Sequence, residues 1–254
     1  MINFLNTNIP DPVAFSIFGF DIMWYGILIA AAILTAVLLF LKRLPKHGIP
    51  AELGLDAVII CIPAGLVGTR LYYVAFNWSY YSDDILSIFN IRHGGLAVHG
   101  GLIAAFVAAY IFCRVKKVNA LNGFDAAAPS VAIAQAIGRW GNYFNSEAHG
   151  GPTDLPWGIL VSGELVHPTF LYESLLCLAL FFFLVYTNNK RKFEGQTFIS
   201  YCAIYSFGRF FIEGLRTDSL MLGILRQAQV LSAVVFAVCV LALVILGRKA
   251  KKTV

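Results

Sequence analysis

Residues 138–150, GRWGNYFNSEAHG, gather a guanidinium (Arg139), two amides (Asn142, Asn145), a carboxylate (Glu147) and an imidazole (His149) among glycines at the edge of an apolar run. Polar groups are costly at such an edge. An arginine, two amides and an acid in so short a stretch exceed what capping a helix end requires, although a junction that satisfies its own backbone groups is the plain alternative. Gly138 and Gly141 flank Trp140 and predict a tight bend of the chain around Arg139. A second constellation lies in YSFGRFFIE, where Tyr205, Arg209 and Glu213 follow at i, i+4 and i+8 and so share one helix face. It is either an internal ion pair or a functional site, because ionisable groups inside a membrane face a bundle interior or a wet cavity.

Two further segments carry chemistry. In HGGLAVHGG (93–101), His93 and His99 stand among four glycines; an imidazole can act as a base near neutral pH, and a structural histidine is the alternative. In HPTFLYES (167–174), Pro168 and Thr169 open a helix that holds Tyr172 and Glu173, for which capping is the plain reading. No metal site is expected: the pairs His93/His99 and Glu147/His149 lack helical i, i+4 spacing. The five cysteines (Cys61, Cys113, Cys177, Cys202, Cys239) contain no CxxC and read as small buried apolar residues.

The elements that must position these residues are membrane helices. The chain of 254 residues is 59% hydrophobic and 13% charged, with mean hydropathy +0.74, outside the range of a soluble domain. Continuous apolar runs of about 20 residues point to helices, since barrel strands alternate at every second residue. Spans are predicted near 22–41, 55–76, 95–113, 124–139, 169–186, 197–215 and 228–247. The fold class is therefore an all-α integral membrane protein with seven transmembrane helices, the fourth short and polar enough to be re-entrant instead. The first span is not a signal peptide, because Asp11 and Asp21 precede it and no basic segment does.

Basic clusters in alternate connections (Lys42/Arg43/Lys46, Arg114/Lys116/Lys117, Lys190/Arg191/Lys192 and Arg248/Lys249/Lys251/Lys252) put the N-terminus outside and the C-terminus in the cytoplasm. All lysines fall in those clusters. The basic residues elsewhere are Arg70, Arg92, Arg139, Arg209, Arg216 and Arg226. A guanidinium forks two N–H groups to an oxyanion and keeps its charge when partly dehydrated, so an extracytoplasmic set of arginines favours a phosphate or carboxylate partner. No repeat or linker divides the chain, so one polytopic membrane domain (1–254) is expected. Its loop 140–168, with Pro152, Pro156, Trp157 and Pro168, forms a compact cap on the outer face.

These segments together resemble the bacterial prolipoprotein diacylglyceryl transferases. Gly138, Arg139, Gly141, Asn142, Asn145, Glu147 and Gly150 occupy the places of that family's signature, which begins Gly-Arg-x-Gly-Asn. HGGLAVHGG is similar to its His-Gly-Gly segment, HPTFLYES to its His-Pro-Thr-x-x-Tyr-Glu segment, and Tyr205/Arg209/Glu213 to its late Tyr-x-x-x-Arg-x-x-x-Glu element. MWYG, with Tyr25, resembles the start of its first span; Tyr143 stands where Phe is commoner, and the cap is short.

The resemblance implies transfer of the diacylglyceryl group of phosphatidylglycerol to the thiol of the lipobox cysteine in a preprolipoprotein signal peptide, releasing glycerol phosphate. It implies a multi-pass protein of the bacterial cytoplasmic membrane, with the lipid bilayer as its setting and no cofactor, metal or nucleic acid. Arg139 is implied in phosphatidylglycerol binding, and His99, Asn142, Glu147, Gly150, Tyr205, Arg209 and Glu213 as functional positions. The chemistry needs a thiolate and fixed donors for the departing phosphate. Arg139 and Arg209 suit the second task. His99 is the candidate base with Tyr205 as helper, while Glu147 and Glu213 are expected to orient the arginines. Asn142, Asn145, Gly150, Glu213 and Tyr25 are expected in substrate binding beside Arg139. A secondary transporter for an anionic substrate is the rival reading; it predicts repeat symmetry, which the chain lacks.

Overall fold

The computed structural model describes residues 11–82, 84–90, 94–217 and 219–252; Arg92 and His93 lie outside the described residues. In chain order the elements are β1 (Val13–Ile17), β2 (Phe20–Met23), α1 (Trp24–Arg43), α2 (Ala51–Phe76), the single turn α3 (Trp78–Tyr81), α4 (Val98–Val115) and α5 (Ala120–Phe144). They continue with β3 (Ile159–Val161), β4 (Glu164–Val166), α6 (Thr169–Asn188), α7 (Gln196–Leu215), β5 (Met221–Leu222), β6 (Leu225–Arg226) and α8 (Gln227–Lys252).

Helix dominates because uninterrupted apolar runs satisfy every backbone group within the segment, which an apolar surrounding demands. Among the described residues, α1, α2, α4, α6 and α8 are long and apolar enough to cross a membrane. α5 and α7 have 25 and 20 residues, a comparable length, but are more polar. These two carry Arg139, Asn142, Tyr205, Arg209 and Glu213. Their polarity follows from these side chains.

Three antiparallel hairpins, β1–β2, β3–β4 and β5–β6, add to the helices and were not expected from the sequence. Their strands are too short to show a period-two pattern. Two of them turn through paired residues in the left-handed region, Phe18–Gly19 (φ 51° and 80°) and Ser162–Gly163 (53° and 86°), the backbone that matches strand twist in a two-residue hairpin loop.

The chain forms two compact units, residues 41–123 and residues 1–40 with 124–254. In the first, α2 and α4 cross at glycines. A Cβ on Gly68 would stand 2.6 Å from the Gly100 carbonyl oxygen, and one on Gly100 would stand 2.3 Å from that of Gly68. Small residues here let two backbones touch, the main source of helix association where lipid removes the hydrophobic drive. The glycines of HGGLAVHGG at 100 and 101 thus serve helix contact.

In the second unit, Ala128 and Ala132 of α5 pack against Leu180 and Leu184 of α6, flanked by Tyr201 and Tyr205 of α7. Ser174 donates to the Ala136 carbonyl at 2.7 Å, tying α6 to α5. The cap sits over the end of this bundle: Ile159 and Val166 from β3 and β4 pack on Tyr143 of α5 and Phe170 of α6. α5 and α6 are thereby held together at one end by side-chain packing, and at the other end α5 is tied to α7 by Asp125. This buried carboxylate of α5 accepts the backbone N–H groups of Gly195 (2.8 Å) and Phe198 (2.9 Å) where α7 begins.

Candidate active site

Three helices converge on one carboxylate. α6 starts at Thr169 because Pro168 fixes its own φ and lacks the N–H that a first turn would leave unpaired. The Thr169 hydroxyl donates to the Ala148 carbonyl, which ties this start to the segment after α5. Glu173 follows one turn later, only 1% exposed. Its Oε1 forms an ion pair with Arg139 Nη2 at 2.6 Å and accepts from the Tyr205 hydroxyl at 2.6 Å, and its Oε2 accepts from Arg209 Nη1 at 2.7 Å. A carboxylate removed from water is tolerated only when paired and hydrogen-bonded, and two ion pairs with two short hydrogen bonds meet that condition.

Glu213, one turn beyond Arg209 on α7, takes the other terminal nitrogen of Arg209 at 2.5 Å and also accepts from the Ser219 hydroxyl. Arg209 is therefore braced on both sides. Arg139 and Arg209 keep 24% and 16% of their side chains exposed, so each retains donors that face outward. A guanidinium carries five N–H donors, more than these contacts consume.

The predicted bend around Arg139 does not occur: α5 runs unbroken through Gly138 and Gly141 to Phe144. Gly141 serves a close approach instead. A Cβ there would lie 2.7 Å from the ring of Tyr25, which rests directly on the helix, and Trp24 stacks on Phe144 at 5.2 Å. The helix places Asn142 one turn after Arg139, with its oxygen 3.5 Å from Arg139 Nη1 and its amide donating to Glu147 at 2.8 Å. Asn145 donates to the same Glu147 oxygen at 3.5 Å. Glu147 thus reaches Arg139 through Asn142, whereas the direct carboxylate partner of Arg139 is Glu173.

Ser146 and Ala148, at φ 55° and 57°, adopt the left-handed backbone that winds the chain away from α5. Gly150 then pairs with Arg216 in a bridge, and a Cβ on it would stand 2.7 Å from the Cβ of His167. The His167 ring and Trp157 both bond the Tyr172 hydroxyl, at 3.2 Å and 3.0 Å, which fastens the cap to α6.

The structure therefore brings Arg139, Arg209, Tyr205 and Glu213 together around Glu173, and links Asn142, Asn145 and Glu147 in a chain leading from Arg139. Tyr25 touches the back of this segment through Gly141. His99 belongs to the other compact unit, exposed at the second position of α4.

Arginine type alone did not reveal function. Arg70 is buried and donates to five backbone carbonyls, those of Ser87, Ile88, Asn90, Gly94 and Gly95, at 2.7–3.0 Å. Arg226 donates to the Gly214 carbonyl at 2.6 Å. Arg70 thus secures a loop, and Arg226 the last turn of α7. Glu173 is the residue that sequence reasoning assigned no task beyond its motif; its signal was an acid buried within an apolar helix, next to a tyrosine, in HPTFLYES.

Chemically, the cluster presents two guanidinium groups on one shared carboxylate, with the Tyr205 phenol on the oxygen that Arg139 pairs with. It is preorganised to meet negative charge on an oxygen, without reorganising at the moment that charge develops.

Comparison with known proteins gives the same direction. The family model described as prolipoprotein diacylglyceryl transferase matches residues 12–245. A phosphatidylglycerol–prolipoprotein diacylglyceryl transferase of Clostridioides difficile (strain 630) is 51% identical over 244 residues, covering 96% of this chain and 98% of that protein. Proteins of the same name from Finegoldia magna and Clostridium novyi (strain NT) are 47% identical over 245 residues and 46% over 253. Each covers 96% of this chain, and the matches span 97% and 98% of the two proteins.

Proposed function

The chain belongs to the prolipoprotein diacylglyceryl transferase family, and on that premise we propose that it moves the diacylglyceryl group of phosphatidylglycerol to the lipobox cysteine of a preprolipoprotein signal peptide, the first step of bacterial lipoprotein maturation. The observation that carries the residue assignments is the shared carboxylate: Glu173 forms ion pairs with both Arg139 and Arg209.

In the reaction a thiolate sulfur attacks a primary glycerol carbon. The carbon–oxygen bond to phosphate breaks, its electron pair stays on the phosphate oxygen, and glycerol phosphate leaves while a thioether forms. The extra negative charge exists only as that bond breaks. Donors preset for it therefore stabilise the transition state more than the bound lipid.

Arg139 and Arg209 are assigned to the phosphate. Glu173 sets their spacing, Glu213 braces Arg209, and Asn142 with Glu147 steadies Arg139. Tyr205, bonded to Glu173 on the same oxygen as Arg139, lends a hydroxyl. Asn145, Gly150 and Tyr25 shape the segment that carries Arg139. His99 is assigned to the thiol proton on residue type and on the family resemblance, and no cofactor or metal is invoked. We read the chain as one membrane domain crossing seven times, the N-terminus outside and the C-terminus in the cytoplasm, in the bacterial cytoplasmic membrane. The two polar helices α5 and α7 are among the crossings because their charged groups are paired, Arg139 and Arg209 with Glu173 of α6 and Arg209 also with Glu213.

The test is direct. Purified protein is incubated with phosphatidylglycerol and a lipobox peptide, and the peptide mass is followed. A diacylglyceryl adduct on the cysteine is the expected product; an unchanged peptide overturns the assignment.

A further inference from the structure

The basic end of α7 and α8 holds an open groove of about 430 Å³ in which cationic side chains meet an apolar floor. Gln196, where the groove begins on α7, lies 13 residues before Arg209 on the same helix, which is about 20 Å at 1.5 Å per residue. The groove is thus separate from the arginine cluster, and the transfer reaction makes no use of it.

Three cations line it: Lys192 from the turn before α7, and Arg248 and Lys251 from α8. Val244, Arg248 and Lys251 follow at i, i+4 and i+7, so the floor and the two α8 cations share a helix face. Lys192 is set by its own backbone N–H, which donates to the Gln196 side chain at 2.6 Å. None of the lining residues is acidic, and among the described residues no carboxylate pairs with the three cations.

The floor decides between ligands of the same charge. Gly247 has open space where a Cβ would be, and Phe193, Leu243 and Val244 continue the groove toward the apolar outer surface of α8, where Leu241 is 60% and Val244 44% exposed. A small free anion would use the cations and leave the floor bare. A phosphate carried on acyl chains uses both, and basic grooves between membrane helices on the cytoplasmic side suit such headgroups.

We propose that this groove binds the phosphate headgroup of an anionic phospholipid, with Lys192, Arg248 and Lys251 on the phosphate and the first acyl carbons along Phe193 and Val244.

The experiment uses the full-length protein in lipid nanodiscs and a phosphatidic acid probe with a diazirine near the head of its acyl chain, beside a phosphatidylcholine probe built identically. Labelled peptides are located by mass spectrometry. The phosphatidic acid probe is expected to mark 192–200 and 243–251 well above the choline probe. The double variant Arg248→Gln/Lys251→Gln is expected to lose about tenfold to thirtyfold of that labelling, since each basic residue near an anionic headgroup is worth about fivefold in binding. Labelling of α1 and the rate of diacylglyceryl transfer should stay at parental levels in this variant. The charge-conserving Arg248→Lys/Lys251→Arg should keep the label, which guards against a merely misfolded helix end.

Equal marking by both probes overturns the proposal, as does undiminished labelling in the Gln variant or loss of labelling in the charge-conserving one. Removal of the label by millimolar inorganic phosphate also overturns it, because the ligand is then a small free anion.

Discussion

Replacing Glu173 with Gln keeps the shape of the side chain and removes the charge that both arginines share. The carboxylate now receives three short contacts, 2.6 Å from Arg139, 2.7 Å from Arg209 and 2.6 Å from Tyr205. A Gln amide supplies one acceptor oxygen and turns an NH₂ toward the other partner, so at least one guanidinium faces a donor instead of an acceptor. Hydrogen bonds to charged groups contribute about 1.5–3 kcal/mol each, and that is the expected loss of stability, since the freed arginine can turn toward its open side. The effect on catalysis is larger. An arginine no longer tethered moves by roughly 1 Å, and misplacement of that size costs about a hundredfold in rate. Glu173→Asp, shorter by one methylene, reaches one arginine and not both, and should lose about tenfold, between the parent and the Gln variant.

The assay is the initial rate of adduct formation on a lipobox peptide across a range of phosphatidylglycerol concentrations, on protein shown to be folded by its thermal transition in detergent. If the arginines stabilise the departing phosphate, kcat falls; if they only hold the ground-state headgroup, KM rises and kcat stays. A folded Glu173→Gln enzyme with transfer close to that of the parent would refute the claim that the shared carboxylate sets the geometry.

Arg209→Lys keeps the charge but loses the planar fork that spans Glu173 and Glu213, and transfer should drop by at least about tenfold; normal rates would remove Arg209 from the phosphate. For His99→Ala, the substrate thiol with its ordinary pKa of about 8.5 becomes thiolate unaided as pH rises, so activity should recover in part toward alkaline pH. A folded variant inactive at every pH would assign His99 to binding instead. Gly141→Ala puts a methyl group against the Tyr25 ring and should cost about 1–3 kcal/mol of stability. Adding Tyr25→Ala should restore much of the thermal midpoint, and a double variant no more stable than Gly141→Ala alone contradicts the contact. Arg70→Gln leaves most of five loop carbonyls without their donor and should lower stability by about 2–3 kcal/mol; an unchanged thermal transition would show that the loop holds itself.

Much of the protein was legible in the sequence wherever the deciding geometry is local. Apolar runs of helix length follow from the need to satisfy each backbone group within its own segment, and α1, α2, α4, α6 and α8 lie close to the predicted spans. The shared face of Tyr205, Arg209 and Glu213 follows from helical spacing, and the Arg209–Glu213 pair at 2.5 Å is its consequence. The motifs also carried the family. The site's centre was not legible. Glu173 is 36 residues from Arg209 and 34 from Arg139, on a different helix from either, and no spacing rule links them. Gly138 and Gly141 suggested a bend because glycine permits one, but permission is not a requirement: the ring of Tyr25, more than a hundred residues earlier, occupies the space that a Cβ at 141 would need. The arginines divide in the same way. Residue type marked Arg70, Arg139, Arg209 and Arg226 as oxygen seekers, yet only the packing of the helices determined that Arg70 faces a loop's carbonyls, Arg226 the end of α7, and the other two one buried acid. A side chain's chemistry and its helix face are properties of the chain near it; the atom it meets depends on how distant helices cross.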